Sequence, residues 1–251
     1  MSTNTPLDKK VRARSITMIG AALILAVGMG YGLSLVGSGF ASRAGNAITV
    51  TGQAKTSAVA DNVVWTLNVS ESSSKVSAAV TKVESSVIAL QGYLTKGGVP
   101  AAGIENGAIN TYSTPEYSNG NPTGRILSYT ANQNVTVRSK DVQLIKTLSN
   151  GIGSLLQTGV NVNNYGPQYY VSNLAALRPQ LLADAMKDAK LRAVSITKSV
   201  GSKLGAVLSV TSGPVQVTTP DSVDTSAGGM YDTSSIPKTV TVTVSVAFKV
   251  S

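Results

Sequence analysis

Hydrophobic side chains occupy every second position in two stretches of the chain. One runs from Val63 to Val69, and the other, the most regular in the sequence, runs from Thr239 to Val250. A period of two places alternate side chains on opposite faces of an extended strand. Both stretches therefore predict half-buried β-strands, and a shorter strand is predicted from Ile48 to Gly52.

Other stretches have the period of a helix. Large apolar residues from Val76 to Leu94 are three or four apart, with Ser72–Ser74 as the predicted N-cap and Gly97-Gly98 as the stop. Residues 142–156 predict a second helix, capped by Asp141. The longest helix is predicted from Leu174 to Val200, with an inward face made of Leu181, Leu182, Ala185, Met186, Ala189, Ala193, Ile196 and Val200. The alanines four apart on this face allow another element to approach closely.

The remaining pattern predicts short strands and two loops. Residues 104–112 and 126–137 predict an antiparallel hairpin with a long polar tip. Further strands are predicted at 165–171, 206–210 and 215–217. Residues 218–238 have no period and many turn formers, which predicts a surface loop that is mobile or ordered by a partner. The order of elements predicts an α+β fold in which helices cover one face of a largely antiparallel sheet.

The N-terminal segment has a different character. Residues 16–40 contain no charged side chain, and four basic residues precede them. About twenty apolar residues are enough to span a bilayer, whereas a cleavable signal peptide has an apolar core of about 7–15. The length favours a retained transmembrane helix, with cleavage near 38–41 as the alternative. The anchor residues are predicted to include Ile16, Ile19, Leu23, Leu25, Val27, Gly28, Gly32 and Leu35.

The distribution of charge orients this anchor. The basic residues on its N-terminal flank predict a cytoplasmic tail at 1–15, a transmembrane anchor at 16–40 and an extracytoplasmic domain at 41–251. The predicted location is the cytoplasmic membrane, crossed once. Gly28 and Gly32 form a close-packing pattern for helix pairs, although a glycine-rich anchor without a partner explains them equally well.

Composition excludes many kinds of active site. The 251 residues include no cysteine and no histidine, which removes thiolate nucleophiles, the commonest general base and the commonest transition-metal ligands. The 12 acidic residues are scattered. Asp184 and Asp188 lie one helical turn apart, but neighbouring basic residues favour a solvated, charge-balanced face over a cation site. We therefore predict no catalytic, cofactor-binding or metal-binding residues, and no enzymatic activity.

The formal net charge of +9 does not indicate nucleic-acid binding. Part of the excess lies in the N-terminal tail, and the other basic residues occur singly, without interleaved aromatic residues. Among the aromatic residues, Tyr165, Tyr169 and Tyr170 are clustered. Their ordinary role is to pack a sheet, and a role at a subunit boundary is the alternative.

Several segments together resemble the SIMPL-domain proteins, also called the DUF541 or YggE-like family. They are ITVTGQA from Ile48, TYSTPEY from Thr111, SYTANQNVTV from Ser128, and LADAMKDAKLRA from Leu182 followed by VGSKLGAV. The order and spacing of these segments carry the resemblance, which extends to Val250. Ile236-Pro237-Lys238-Thr239 lacks the Gly-Glu often found before the last strand of the family.

The resemblance implies an extracytoplasmic bacterial protein that assembles into ring- or channel-like homo-oligomers and has a link to oxidative-stress tolerance. It implies no catalytic residues. The leading hypothesis is therefore a membrane-anchored structural protein that forms a homo-oligomer. The oligomer interface is predicted to include Tyr165, Tyr169, Tyr170, Val240, Val242 and Val244, if the last strand is not covered within its own subunit. The alternative is a binding module that recognises an unidentified envelope component through the loops at 112–124 and 218–238.

Overall fold

The computed structural model describes residues 46–224 and 226–251. They form two compact units. The larger unit contains residues 53–188 and 212–244, and the smaller unit contains the described residues 46–52, 189–211 and 245–251. The mixture of antiparallel sheets with helices confirms the α+β class.

The elements follow the predicted order with several changes in length. The strands are β1 (Ala47–Val59), β2 (Asn62–Ser73), β3 (Ile104–Ser118), β4 (Asn121–Ser139), β5 (Val162–Asn164), β6 (Gln168–Tyr170), β7 (Leu204–Ser212), β8 (Gln216–Thr218) and β9 (Pro237–Val250). The helices are α1 (Val76–Lys96), α2 (Val142–Gly151), α3 (Gly153–Leu156) and α4 (Leu174–Ser199), with a short 3-10 turn at Ala101–Gly103.

A five-stranded antiparallel sheet forms the framework of the larger unit. Its strand order is β3-β4-β2-β5, and β6 also pairs with β2. The inward side chains of β2 are those that the period of two predicts, since Val63, Trp65, Leu67 and Val69 are fully buried. Helix α1 packs on β2 and β4 with the predicted apolar face from Val80 to Leu94, whereas Val76 at its start is 41% exposed. This sheet and helix contain most of the hydrophobic core.

A second sheet has the order β1-β9-β7, and β8 also pairs with β9. In the larger unit, Leu181 of α4 packs with Val217, Val240 and Val242 in a separate apolar cluster. In the smaller unit, Ala189 and Ala193 are fully buried, and Val246 and Phe248 of β9 are at most 2% exposed. The alanine stripe therefore lies inward, as predicted.

Some local predictions are wrong for identifiable reasons. Strand β1 continues to Val59 rather than ending near Gly52, because Ala54, Thr56 and Ala58 keep alternating as half-buried positions. The N-cap of α1 is Lys75, without a side-chain cap, rather than the serines before it. Of the predicted strand at 165–171 only β6 is a strand, because a loop with Gly166 at φ +84° separates it from β5, which lies before the predicted range.

The inward face of α4 is shorter than predicted. Ile196 is 44% exposed and Val200 is 69% exposed, whereas Thr197 is buried at 3%. The Thr197 hydroxyl can be buried there because it donates a hydrogen bond to the Ala193 carbonyl at 2.9 Å. Several apolar side chains near the end of α4 are consequently left on the surface of the smaller unit.

Candidate functional site

Strand β7 is an unprotected edge of the second sheet. Apart from Leu204, which is half-buried, every residue of this nine-residue strand is exposed. Val207, Leu208 and Val210 are 49%, 54% and 49% exposed, and the strand contains no charged residue. An edge strand with free backbone groups and apolar side chains is a template for pairing with another strand.

The opposite edge of the same sheet is strand β1. Its first six residues, Ala47–Gly52, belong to the smaller unit and carry no charge. A shallow groove of about 570 Å³ follows this edge, lined by Thr49, Val50, Thr51, Leu191, Arg192, Ser195 and Ile196. The smaller unit therefore has one uncharged edge at each side of its sheet.

The β3 edge of the other sheet is protected in the usual ways. Strand β3 contains Glu105, Pro115 and Glu116, and its pairing with β4 shifts register at several positions. Charges, proline and bulges on an edge strand all oppose pairing between molecules. Strand β7 contains no charged residue and no proline, which favours a role in pairing with another strand.

A two-stranded arm extends from the first sheet. Strand β2 pairs with β4 as far as Ser73 opposite Tyr129, while β3 and β4 continue to Ser118 opposite Asn121. The predicted long polar tip is therefore wrong: most of it is strand. Asn119 at φ 50° and Gly120 at φ 82° form the tight two-residue connection that an Asn-Gly pair favours. The arm exposes three large side chains, Tyr117, Ile126 and Leu127, and Tyr112 is exposed at its base, opposite Thr130.

Part of the segment at 218–238 is fixed by a buried ion pair. The Lys238 ammonium lies 2.7 Å from Asp232 Oδ2 and also donates to the Asp232 carbonyl at 2.6 Å. The Lys238 side chain is fully buried and that of Asp232 is 17% exposed. Burial alone would raise the pKa of Asp232, but hydrogen bonds from Lys238, Ser234 and Ser235 outweigh it and hold the pKa well below its usual range.

The same segment is joined to its surroundings through the backbone. The amide of Tyr169 donates to the Thr233 carbonyl at 2.8 Å, and the amide of Ala60 donates to Ile236 at 2.9 Å. Ile236 is buried in the main core. The prediction of a surface loop that is mobile or ordered by a partner is therefore wrong for residues 230–238, because the loop supplies its own polar partners and an apolar anchor.

Sequence reasoning missed this ion pair, although two signals indicate it. Position 238 continues the inward positions of β9, so its lysine must be buried and needs a partner. An aspartate followed by serines two and three positions later is typical of a turn in which the carboxylate accepts local hydrogen bonds.

The three clustered tyrosines do not form one surface. Tyr165 is 84% exposed, whereas Tyr169 is buried at 5%. Both line a cleft of about 490 Å³, together with Lys146, Asn150, Gly166, Pro167 and residues 234–237. Burial raises the pKa of Tyr169. Tyr170 instead contacts Tyr231, with ring centroids 5.8 Å apart.

The predicted interface residues of β9 lie inside the subunit. Val240, Val242 and Val244 are at most 1% exposed. Strand β9 has neighbours on both sides, since its order in the sheet is β1-β9-β7. These valines are packing residues of the subunit, and of the two alternatives for the last strand the structure has the covered one.

The two carboxylates on α4 have separate partners. Asp184 pairs with Lys187 at 3.1 Å, and hydrogen bonds from Gln180 and Lys187 lower its pKa. Asp188 accepts a hydrogen bond from the backbone amide of Gln53 at 2.8 Å. Within residues 46–224 and 226–251 there is no group of three or more acidic residues that could hold a metal ion.

The predicted anchor residues, from Ile16 to Leu35, lie outside the described residues. Of the helices that the structure does describe, none is long and apolar enough to cross a membrane.

Comparison with known protein families gives one match that covers most of the chain. Residues 48–249 match the SIMPL family, whose description is a protein of unknown function (DUF541). A comparison with curated proteins found no match. The matched range begins within β1 and ends within β9, and so includes both edges of the second sheet and the arm. The chain therefore belongs to the SIMPL (DUF541) family.

Proposed function

We propose that the chain is a membrane-anchored, extracytoplasmic structural protein whose subunits assemble into a ring- or cage-like homo-oligomer, with a role in envelope or oxidative stress tolerance. The observation that carries the assembly is the β7 edge, which is long, uncharged and apolar. The uncharged run at 16–40, which the sequence predicts to be a retained anchor, and the resemblance described above support the location.

The position of the two edges favours a closed assembly over a simple dimer. Strands β1 and β7 are the opposite edges of the same sheet. When β7 of one copy pairs with β1 of the next, a row of subunits still has one free edge at each end. Such head-to-tail contacts form rings when the rotation between copies closes. Pairing of β7 with β7 would instead stop at two copies.

The mass of the full chain in a mild detergent tests the assembly. We expect particles several times heavier than the 25.7 kDa chain in mass photometry, corrected for bound detergent. Particles of monomeric mass at the working concentration would contradict the proposal.

Engineered cysteines test the head-to-tail arrangement. The chain has no native cysteine, so Thr49→Cys on β1 combined with Ser209→Cys on β7 introduces the only thiols. Head-to-tail pairing predicts a ladder of covalent oligomers on oxidation. Each single variant is the control, since it can form no product larger than a covalent dimer.

The arm and the cleft favour a second candidate function, a module that binds an envelope component. Tyr117 is exposed on the arm and Tyr112 at its base, and residues 234–237 line the cleft beside Tyr165. An exposed aromatic surface and a concave pocket with a few polar groups are common features of binding sites.

Shortening the arm separates the two candidates. Thr114 and Ser128 are partners in the ladder, so replacing residues 115–127 with Asn-Gly keeps the register. Because the removed segment has little buried surface, we expect an unchanged melting temperature and, if β7 drives assembly, an unchanged oligomer mass. Loss of the oligomer with the fold retained would transfer the assembly role to the arm.

A further inference from the structure

The two units differ sharply in charge. In the larger unit acidic and basic side chains are equal in number. The described part of the smaller unit contains no acidic side chain and five basic ones, which are Lys190, Arg192, Lys198, Lys203 and Lys249. All five are exposed. The net positive charge of the described residues therefore lies entirely in the smaller unit.

Apolar side chains lie among these basic residues on the outer face of α4. Leu191 is 69% exposed and Val194 is 44% exposed, on the opposite side of the helix from the buried Ala189 and Ala193. Lys190 and Lys198 flank them at helical spacing. A helix face that combines apolar side chains with lysines is typical of binding at the surface of an anionic membrane.

The sequence before β1 limits how far this unit can lie from the membrane. Five residues, Ala41 to Gly45, separate the uncharged run at 16–40 from Asn46. Even fully extended, five residues reach only roughly 18 Å. If residues 16–40 span the bilayer, the smaller unit is held close to the lipid headgroups.

We propose that the smaller unit docks on an anionic phospholipid surface through the outer face of α4, with Leu191 and Val194 in contact with lipid and Lys190 and Lys198 beside the headgroups. The proposal rests on the membrane anchor of the proposed function. Each lysine near an anionic membrane surface adds to the electrostatic attraction, and burial of the exposed apolar side chains supplies the rest of the binding free energy. The docking face is separate from the β7 edge, whereas Leu191 also lines the groove beside the β1 edge.

A fluorophore at Leu191 tests this directly in the full chain. Leu191→Cys is labelled with an environment-sensitive dye and the protein is placed in nanodiscs that carry a spin-labelled lipid as quencher. The nanodiscs contain phosphatidylcholine alone or with about one third phosphatidylglycerol. Ile88→Cys on α1 is the matched control, because Ile88 is 68% exposed on a helix of the neutral unit, one turn from Glu84.

We expect the lipid to quench the label at Leu191 about twofold or more over the label at Ile88, and more strongly when phosphatidylglycerol is present. Adding Lys190→Glu and Lys198→Glu should remove the dependence on phosphatidylglycerol. Equal quenching of the two labels, or no effect of lipid charge, would overturn the proposal. So would a label at Leu191 that is shielded from water but not quenched by lipid, since another copy of the chain would then cover this face.

The same samples distinguish a failure of the docking from a failure of the membrane anchor or of the assembly. A chain that does not float with the nanodiscs contradicts both the anchor and the docking. A chain that floats, with an unquenched label at Leu191, contradicts the docking alone. The mass of the particles in the same samples reports assembly independently.

Discussion

Asp232→Asn is expected to lower the free energy of unfolding of the larger unit by about 3–5 kcal/mol, because it leaves the buried Lys238 ammonium without its counter-charge. The asparagine is nearly isosteric, but its single carbonyl oxygen can replace only one carboxylate oxygen, either Oδ1, which accepts from Ser234, or Oδ2, which accepts from Ser235 and Lys238. The loss therefore reports the charge together with one set of hydrogen bonds. Unfolding can be followed by the fluorescence of Trp65, the single tryptophan of the chain, which is fully buried in the same unit.

Two further variants identify the cause of this effect. Lys238→Met added to Asp232→Asn removes the unpaired charge, and we expect it to restore much of the lost stability, since an apolar replacement of a buried ion pair is often neutral. Asp224→Asn changes an exposed carboxylate in the same segment and should stay within about 0.5 kcal/mol of the parent chain. Equal effects of Asp224→Asn and Asp232→Asn would refute the role of the ion pair.

The pH dependence of the same variant follows from the lowered pKa of Asp232. A carboxyl whose pKa is lower in the folded than in the unfolded chain stabilises the fold above the unfolded value, about 4, and loses this contribution as the pH falls towards the folded value. The difference in stability between the parent chain and Asp232→Asn should therefore be largest near neutral pH and shrink below about pH 4. A difference that stays constant down to pH 2 would contradict this assignment.

The regular parts of the fold could be predicted from the sequence because burial on one face imposes a period. The alternation in β2 and β9 and the spacing in α1 each indicate both the type of element and its buried side. Residues 230–238 could not be predicted in the same way. Their order comes from hydrogen bonds to one carboxylate and from a lysine buried beneath it, and neither produces a period.

The arm shows a different limit of sequence analysis. Residues 115–122 contain two prolines, two asparagines and a glycine, which is typical of a loop, but the backbone continues as two exposed strands around Asn119-Gly120. No buried face exists there to impose alternation. The position of β7 at the edge of its sheet could not be predicted either. Strand order decides which strands lie at an edge, and the sequence of β7 alone does not contain that order.

Both exposed edges and the basic docking face belong to the smaller unit, while the larger unit contains most of the core and the buried ion pair. A change on the surface of the smaller unit should therefore alter assembly or membrane contact without affecting the stability of the larger unit. This division provides a clean test of the assembly edge, because oligomer mass and Trp65 fluorescence report different parts of the chain.

Leu208→Lys is expected to abolish the oligomer and leave the subunit folded. Leu208 lies in the middle of β7 and is 54% exposed, so the lysine can extend into water in the isolated subunit. In a pairing of edges, however, the ammonium would be buried against an apolar strand, which is how natural sheets prevent such pairing. A penalty of about 1.4 kcal/mol or more at each interface weakens association at least tenfold per contact.

Ile88→Lys is the matched control, since it introduces the same charge at an exposed apolar position of α1. Mass photometry of the full chain in mild detergent should give monomers for Leu208→Lys and parent-like oligomers for Ile88→Lys. In both variants the larger unit should unfold within about 0.5 kcal/mol of the parent chain by Trp65 fluorescence, as is usual for surface substitutions. An unchanged far-ultraviolet circular dichroism spectrum should show that the smaller unit also stays folded. Parent-like oligomers from folded Leu208→Lys would show that β7 is not the contact, and the exposed arm would become the next surface to test.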